Sequence, residues 1–353
     1  MKYLLPMLAL GFFLAACNAS TSTQSTYKPE SGGVSIATLT DQPINLLAFG
    51  SCSREDLPQT LWDDVLADQP DVWVWMGDNI YANSTSMVVM AQKYAQQKAD
   101  SNYQLLRNLV PIVGTWDDHD YGSNDGGKNY TLRDSAQQLA LDFLDVPAQA
   151  PVRSRQGMYQ SFDLGEGDQK VRLILLDTRY HRDTLMPDTL TPHRYIANEQ
   201  GDVLGEEQWA WLRAQLNDSP ARVHIIGSSI QVLSSEHFFE KWSNFPAARE
   251  RLLSLLEEEQ VANPVFLSGD RHIAEVSRLE MEELASPVFD FTSSGLTHTW
   301  PQRWSEENPY RVGEMVIALN YGLIQFNWEQ GQMKFLVKGD NGAILLEQAY
   351  PIK

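Results

Sequence analysis

The stretch WVWMGDNIY, residues 73–81, decides how the rest of the chain is read. From Val72 to Met76 the side chains are continuously apolar, β-branched or aromatic, and the run stops at Gly77. Such a run suits a strand buried on both faces of a sheet. Asp78 and Asn79 follow at its carboxyl end, where open α/β sheets keep their ligand crevices. Gly77 lets the backbone turn sharply and leaves room for a bulky group beside Asp78. Tyr81, three residues on, is close enough to share a centre with Asp78. Alone, the stretch reads equally well as a strand closing on an Asp-Asn turn. Three other strand ends tip the balance, because they finish in the same chemistry.

Working outward, residues 44–49 are predicted as the first strand, ending in Gly50-Ser51-Cys52-Ser53. Residues 110–115 form another, ending in Trp116-Asp117-Asp118-His119-Asp120-Tyr121-Gly122 and a turn-rich Ser123-Asn124-Asp125-Gly126-Gly127. Residues 264–267 lead into Ser268-Gly269-Asp270-Arg271-His272. Helices are expected over 59–67, 86–99, 102–108, 132–143, 204–216 and 247–259. Residues 158–164 and 171–176 read as an antiparallel pair closing on Asp177-Thr178-Arg179, and 223–226 as a further strand. The end of the chain is β-rich, over 276–279, 288–292, 315–319, 322–328, 333–338 and 344–349. Residues 180–201 read as a long structureless loop holding His181, Arg182, His193 and Arg194, and loops of that length are usually functional. Early strand–helix alternation and late strands predict one α/β domain over 41–353, with two mixed sheets packed together and helices outside.

The first residues are not fold. Lys2 precedes an apolar stretch, residues 4–14, too short to cross a bilayer as a permanent helix. It ends in Leu14-Ala15-Ala16-Cys17, which resembles the lipobox of bacterial lipoproteins. The resemblance implies that residues 1–17 are a signal peptide with its lipobox, that Cys17 carries lipid, and that Asn18 permits sorting to the outer membrane. An ordinary cleaved secretory signal is the plainer reading. Residues 18–40, rich in Ser, Thr and Gly, are expected to be a flexible tether. The expected location is then the periplasmic face of the outer membrane or the cell surface, with membrane contact through the anchor alone, and the expected state is a monomer.

Removing the leader takes away Lys2 and leaves 26 basic against 46 acidic side chains, a net charge of −20. That surface repels nucleic acid and anionic membrane. An anionic substrate therefore needs a local positive centre, which a metal cluster would supply. If Cys17 carries lipid, Cys52 is the single remaining thiol of an exported protein, with no disulfide partner. It is either buried and inert or held by something.

Four strand ends thus carry Cys52; Asp78 with Tyr81; Asp117, Asp118 and His119; and Asp270 with His272. Carboxylates gathered at one sheet edge repel each other unless cations hold them. Oxygen donors suit Ca²⁺, Mg²⁺ or Fe³⁺, while thiolate and imidazole add affinity for a transition metal. Two metals bridged by one carboxylate make a phosphoryl-transfer centre.

With these motifs the sequence resembles the metallophosphoesterase superfamily, and within it the PhoD-like alkaline phosphatases. The resemblance runs through FGSCS, GDNIY, WDDHDYG, LDTRY and SGDRH, with DFTSSGLTH at residues 290–298 as a further family-like stretch. It implies a four-layer α/β/β/α sandwich and an exported phosphomonoesterase or phosphodiesterase that uses a metal-bound hydroxide at a multinuclear site of Fe³⁺ and Ca²⁺. By the same resemblance Asp78 bridges the metals, and Cys52, Tyr81 and His272 complete a ferric site. Asp118 and Asp270 hold the harder second metal. His119 stabilises phosphoryl oxygens or protonates the leaving group.

Other assignments stay open. Asp117 either ligates metal or orients the loop, and Asn79 either turns the backbone or touches metal or phosphate. Asn124 could reach the second metal. Arg179, Arg182 and His298 are candidates for substrate binding, with a strand-end salt bridge an equally good account of Arg179. His224 and His237 are expected to be structural. The wider superfamily's metal-binding His on the preceding strand, which the PhoD-like branch also lacks, is not carried over, because His224 falls inside VHIIGSSIQ, residues 223–231, and not at its end. The rival reading is a calcium-stabilised binding lipoprotein without catalysis, whose ten Trp residues form a carbohydrate- or peptide-binding face. Cys52 and Tyr81 speak against it, since structural calcium needs neither thiolate nor phenolate.

Overall fold

Apolar runs become strands and amphipathic stretches become helices, and the way they stack sets where the chemistry sits. The computed structural model describes Met1, residues 33–300 and residues 306–353. Cys17 and most of the expected signal peptide and tether lie outside the described residues. In chain order the first half holds β1 (Leu46–Gly50), α1 (Leu61–Asp68), β2 (Val72–Met76), α2 (Met87–Lys98), α3 (Ser101–Leu109) and β3 (Ile112–Thr115). A single turn, α4 (Asp118–Tyr121), and α5 (Arg133–Phe143) follow. Then come β4 (Gln160–Leu164), β5 (Val171–Leu175), the short β6 (Met186–Pro187) and β7 (Tyr195–Ile196), α6 (Gly205–Leu216), β8 (Val223–Gly227) and α7 (Pro246–Glu258). The last part is β9 (Pro264–Ser268), β10 (Ala274–Leu279), β11 (Val288–Ser293), β12 (Arg311–Val316), β13 (Tyr321–Asn327), β14 (Gln332–Lys338) and β15 (Ile344–Pro351).

One sheet has the order β15-β14-β13-β1-β2-β3 and the other β12-β10-β11-β9-β8-β5-β4. In the first, β1, β2 and β3 run parallel and β13 pairs antiparallel with β1. In the second, β5, β8, β9 and β11 run parallel, with β4 antiparallel at one edge. Alternate residues point to opposite faces of a strand. On β2, Val72, Val74 and Met76 therefore face the second sheet and meet Leu175, Ile225 and Leu267 in a shared core. Trp73 and Trp75 face the other way, into Trp62, Tyr103 and Phe143 of the outer helices. On the far side α6 and α7 bury Trp209, Leu212, Leu252 and Leu256 against Ile174, Ile226 and Phe266. The result is the four-layer α/β/β/α sandwich with two mixed sheets.

Two expectations need correction. The segment 180–201 is not structureless, because β6 and β7 pair in it as a short antiparallel hairpin. The strand expected over 315–319 lies earlier, at β12, which among the described residues is an edge strand paired with β10. Its residues from Arg311 to Glu314 are partly or wholly exposed, so no apolar alternation marks them in the sequence. Six of the tryptophans, Trp62, Trp73, Trp75, Trp116, Trp209 and Trp242, are buried core residues and offer no ligand-binding face. No helix among the described residues is long and apolar enough to cross a membrane.

Candidate metal centre

The parallel strands bring their carboxyl ends to one edge, and the backbone turns back on itself there. Cys52, Asp78, Asp270 and His272 all adopt left-handed φ values, of 60°, 50°, 65° and 54°. Non-glycine residues in that region cost of order 1–3 kcal/mol each, and such strain concentrates at functional sites. Gly77 precedes Asp78 at φ 89°, and a Cβ on it would run into the Asp117 backbone nitrogen at 2.7 Å. That close approach lets the β2 and β3 ends share one site.

Asp78 is central. The Tyr81 hydroxyl donates to its Oδ2 at 3.1 Å, the Cys52 thiol lies 3.5 Å from the same oxygen, and the His119 backbone N–H donates to Oδ1 at 3.2 Å. Asp78, Asp117, Asp118 and Asp270 each place a carboxylate oxygen within 4.8 Å of the others, and His119 can join Asp78 and Asp118 at the same spacing. The His119 ring stacks on Tyr81, with centroids 4.1 Å apart, and its Nδ1 pairs with Asn83 Oδ1. His272 and His298 pack together with centroids 4.4 Å apart, and His298 meets Tyr81 edge-on at 5.0 Å. A recess of about 140 Å³ opens here, lined by Asp118, His119, Asn124, Asp270 and His272, with Arg194 and Trp300 also in its wall.

Burial, then the neighbouring Asp118 and Asp117, push the Asp78 carboxyl well above its ordinary range. Burial, then Asp118, lifts Asp270 to about 7, and burial, then Asp78 and Asp270, raises the Cys52 thiol. Burial also raises Asp118, but His119, Arg179 and the Asp125 backbone N–H together hold it below the usual value. Burial, then His298 and His119, lowers His272 to about 3, so its imidazole is neutral and has a lone pair to give. Carboxylates this close together repel one another when ionised, and a cation would offset that repulsion.

The donor set fits a metal ion. Asp117 Oδ2, Asp118 Oδ1, Asn79 Oδ1 and His272 Nδ1 are buried without a hydrogen-bond partner, although buried polar atoms are nearly always satisfied. These four oxygen or nitrogen atoms, from strand ends of both sheets, are donors suited to a cation.

The model of the PhoD-like phosphatase family matches residues 47–335. The chain belongs to the PhoD-like phosphatase family. Alkaline phosphatase D of Bacillus subtilis (strain 168) is 25% identical over a 272-residue alignment that covers 69% of this chain and 46% of that protein. The chain thus spans about half the length of that curated relative. A solved structure of PhoD aligns with a TM-score of 0.71 at 21% identity, covering 89% of this chain and 71% of the other. A dimetal phosphatase from Danio rerio aligns at 0.54 and 14%, covering 88% and 100%. Both share the fold.

In this PhoD-like chain the structure gathers Cys52, Asp78, Tyr81, Asp117, Asp118, His119, Asp270, His272 and His298. Asn79 lies beside them, its amide nitrogen bound to the Thr115 carbonyl and to Asp120. Asn124 lines the recess, exposed, and donates to Asp125. Arg179 and Arg182 are a correction, since neither is available for substrate binding. Both are buried, Arg179 paired with Asp117 and Glu240, and Arg182 with Glu240. Burying two guanidiniums demands that acids match them, and here the acids come from inside the fold. His224 is structural, bonded to the Ala262 carbonyl and Ser219, and His237 accepts from the Phe239 backbone N–H.

Two residues of the region escaped the sequence reading, and a third, Arg194, reads there only as one of the cations of the 180–201 loop. Asp120 accepts from the backbone N–H groups of Asp117, Asp78 and Asn79 and holds two strand ends together. Its position at the third residue of the α4 turn is the sequence signal for a capping box. Glu240 is a buried acid in a loop without periodicity, and nothing in the sequence marks it. Arg194 lines the recess, as does Arg271, and is half-exposed beside Asp125, whereas Arg271 is buried and paired with Glu306.

Proposed function

We propose that the chain is a metal-dependent phosphoesterase acting on phosphate monoesters or diesters of a small molecule or a lipid. The observation that carries this reading is the set of four carboxylates converging within 4.8 Å with two inner oxygens unpartnered. Asp78, Asp117, Asp118 and Asp270 would hold the ions, with Cys52, Tyr81 and His272 on the side suited to Fe³⁺ and the carboxylates on the side suited to Ca²⁺. Bound ions supply the positive charge that binds phosphoryl oxygens and activates water. The chain's own residues do the rest. His119, with Nδ1 held by Asn83 and its ring packed on Tyr81, has Nε2 left to give a proton to the leaving oxygen. Asp118 Oδ1 lies 3.9 Å from that nitrogen. The narrow recess accepts a phosphoryl group, and Arg194 at its wall meets the incoming anion in an otherwise acidic field.

The test is metal analysis of natively purified protein beside hydrolysis of p-nitrophenyl phosphate and bis(p-nitrophenyl) phosphate, with and without chelator. Activity that survives complete metal removal, or an Asp78→Asn protein that keeps metal and rate, overturns the reading. Export as a monomeric lipoprotein belongs to the same proposal and rests on the Leu14-Ala15-Ala16-Cys17 sequence. Labelled palmitate should enter the native chain in a bacterial host and not Cys17→Ser.

A further inference from the structure

Glu240 stands behind both members of the Asp117–Asp118 pair. It lies between β8 and α7 and is 1% exposed. Its Oε2 is 2.6 Å from an Arg179 terminal nitrogen, and its Oε1 is 2.8 Å from Arg182 Nε. Arg179 continues inward, donating through Nε to Asp117 Oδ1 at 2.6 Å, where the Ser229 hydroxyl also donates at 2.7 Å. Arg182 takes the other branch, donating to the carbonyls of Asp125 and Gly126 at 2.5 and 2.7 Å. The Asp125 backbone N–H then donates to Asp118 Oδ2 at 2.6 Å. Two chains of contacts leave one carboxylate and end on one oxygen of each aspartate. The remaining oxygens, Asp117 Oδ2 and Asp118 Oδ1, are the unpartnered ones.

We infer that Glu240 is a positioning residue of the metal centre, fixing which oxygen of Asp117 and of Asp118 faces the ions. The inference rests on the metal-dependent reading of the site. Arg179, Arg182, Asp117 and Glu240 together carry no net charge, so the acidity of Asp78, Asp118 and Asp270 is left for the cations. Without the Glu240 charge, the same buried group carries one uncompensated guanidinium beside the ions, and like charges at such range repel strongly. Arg179, released on its outer side, can also swing to Asp117 Oδ2 and occupy the ligand oxygen. Both effects weaken metal binding through residues that touch neither substrate nor metal.

The experiment is calorimetric titration of Mn²⁺ and Ca²⁺ into the chelator-treated full chain, with Tm measured in parallel. Glu240→Gln, which keeps the shape and removes the charge, should weaken binding about tenfold or more in a folded protein, and Glu240→Asp should recover most of it. A purely structural role would lower Tm and leave the dissociation constants alone. If Glu240→Gln does not fold, Arg182→Lys carries the same test, since it keeps the charge but cannot reach both carbonyls, and a severalfold weakening is expected. Wild-type affinity in the folded variant overturns the inference and leaves the metal reading standing. A wild-type chain that binds neither ion overturns both.

Discussion

Tyr81 touches two roles at once: its hydroxyl donates to Asp78 Oδ2 at 3.1 Å, and its ring underlies the His119 imidazole at 4.1 Å. The two contacts separate by substitution. Tyr81→Phe keeps the stack and removes the oxygen, so metal affinity should fall while His119 stays placed. Tyr81→Ala removes both, and kcat should fall further than metal loss explains. Metal content and saturating-metal kinetics distinguish the two. If iron binds the phenolate, Tyr81→Phe and Cys52→Ala also each shift the visible absorption of the pure protein.

His119→Ala should keep the metals and lose rate by about a hundredfold, the usual worth of a positioned proton donor. Asp78→Asn should lose metal and rate together, because the carboxylate the whole cluster faces is gone. Metal analysis of both variants beside kcat decides between these roles.

Asp120 links the ends of β2 and β3 through the backbone N–H groups of Asp78, Asn79 and Asp117. Asp120→Ala strands those buried donors, and each unsatisfied buried group costs about 1–3 kcal/mol. The expected loss is about 3–5 kcal/mol in denaturant unfolding, with the metal site lost as a consequence.

The metal-free protein should respond to pH in a particular direction. Burial holds Asp120 and Asp270 near 7, whereas an unfolded aspartate titrates near 4. The folded state therefore binds more protons between those values, so this contribution to stability is complete below about pH 4 and is lost as pH rises through 7. Bound cations favour the ionised carboxylates and oppose that loss. The Tm gap between metal-loaded and metal-free protein should widen from pH 5 to pH 8, and a constant gap would refute the account.

Guidance of anions falls to Arg194. Arg194→Ala should lower kcat/KM and flatten its dependence on salt while leaving kcat nearly unchanged, since a half-exposed charge acts on encounter. Arg182→Ala should do something different. It leaves Glu240 buried with a partner missing, a change that typically costs 3–5 kcal/mol, and thermal unfolding will show it.

The sheets and most of the site were legible because their signals are local. Cys52, Asp78, Asp118 and Asp270 each follow an apolar run within two or three residues, so each stands at the carboxyl end of a strand, the first three in one sheet and Asp270 in the other, and not all in one sheet as the sequence suggests. The partners of the arginines were not legible. Arg179 and Glu240 are 61 residues apart, on segments whose meeting depends on how loops fold over the second sheet. The sequence displays a charge but not what neutralises it, and so two structural cations read as substrate grips. The edge strand β12 was misplaced for a related reason, as exposed residues carry no alternation to read.

The site belongs to neither sheet alone. Cys52, Asp78 and Asp118 come from the first, Asp270 and His272 from the second, and a Cβ on Gly269 would lie 2.5 Å from Ser51 Oγ and 2.8 Å from the Met76 carbonyl. The two halves of the donor set therefore become neighbours only where the two sheets dock. An ion held by both halves thus requires both sheets in place, and a chain whose sheets are apart has no assembled donor set. The strand ends act as a checkpoint: a bound ion certifies that both sheets have docked.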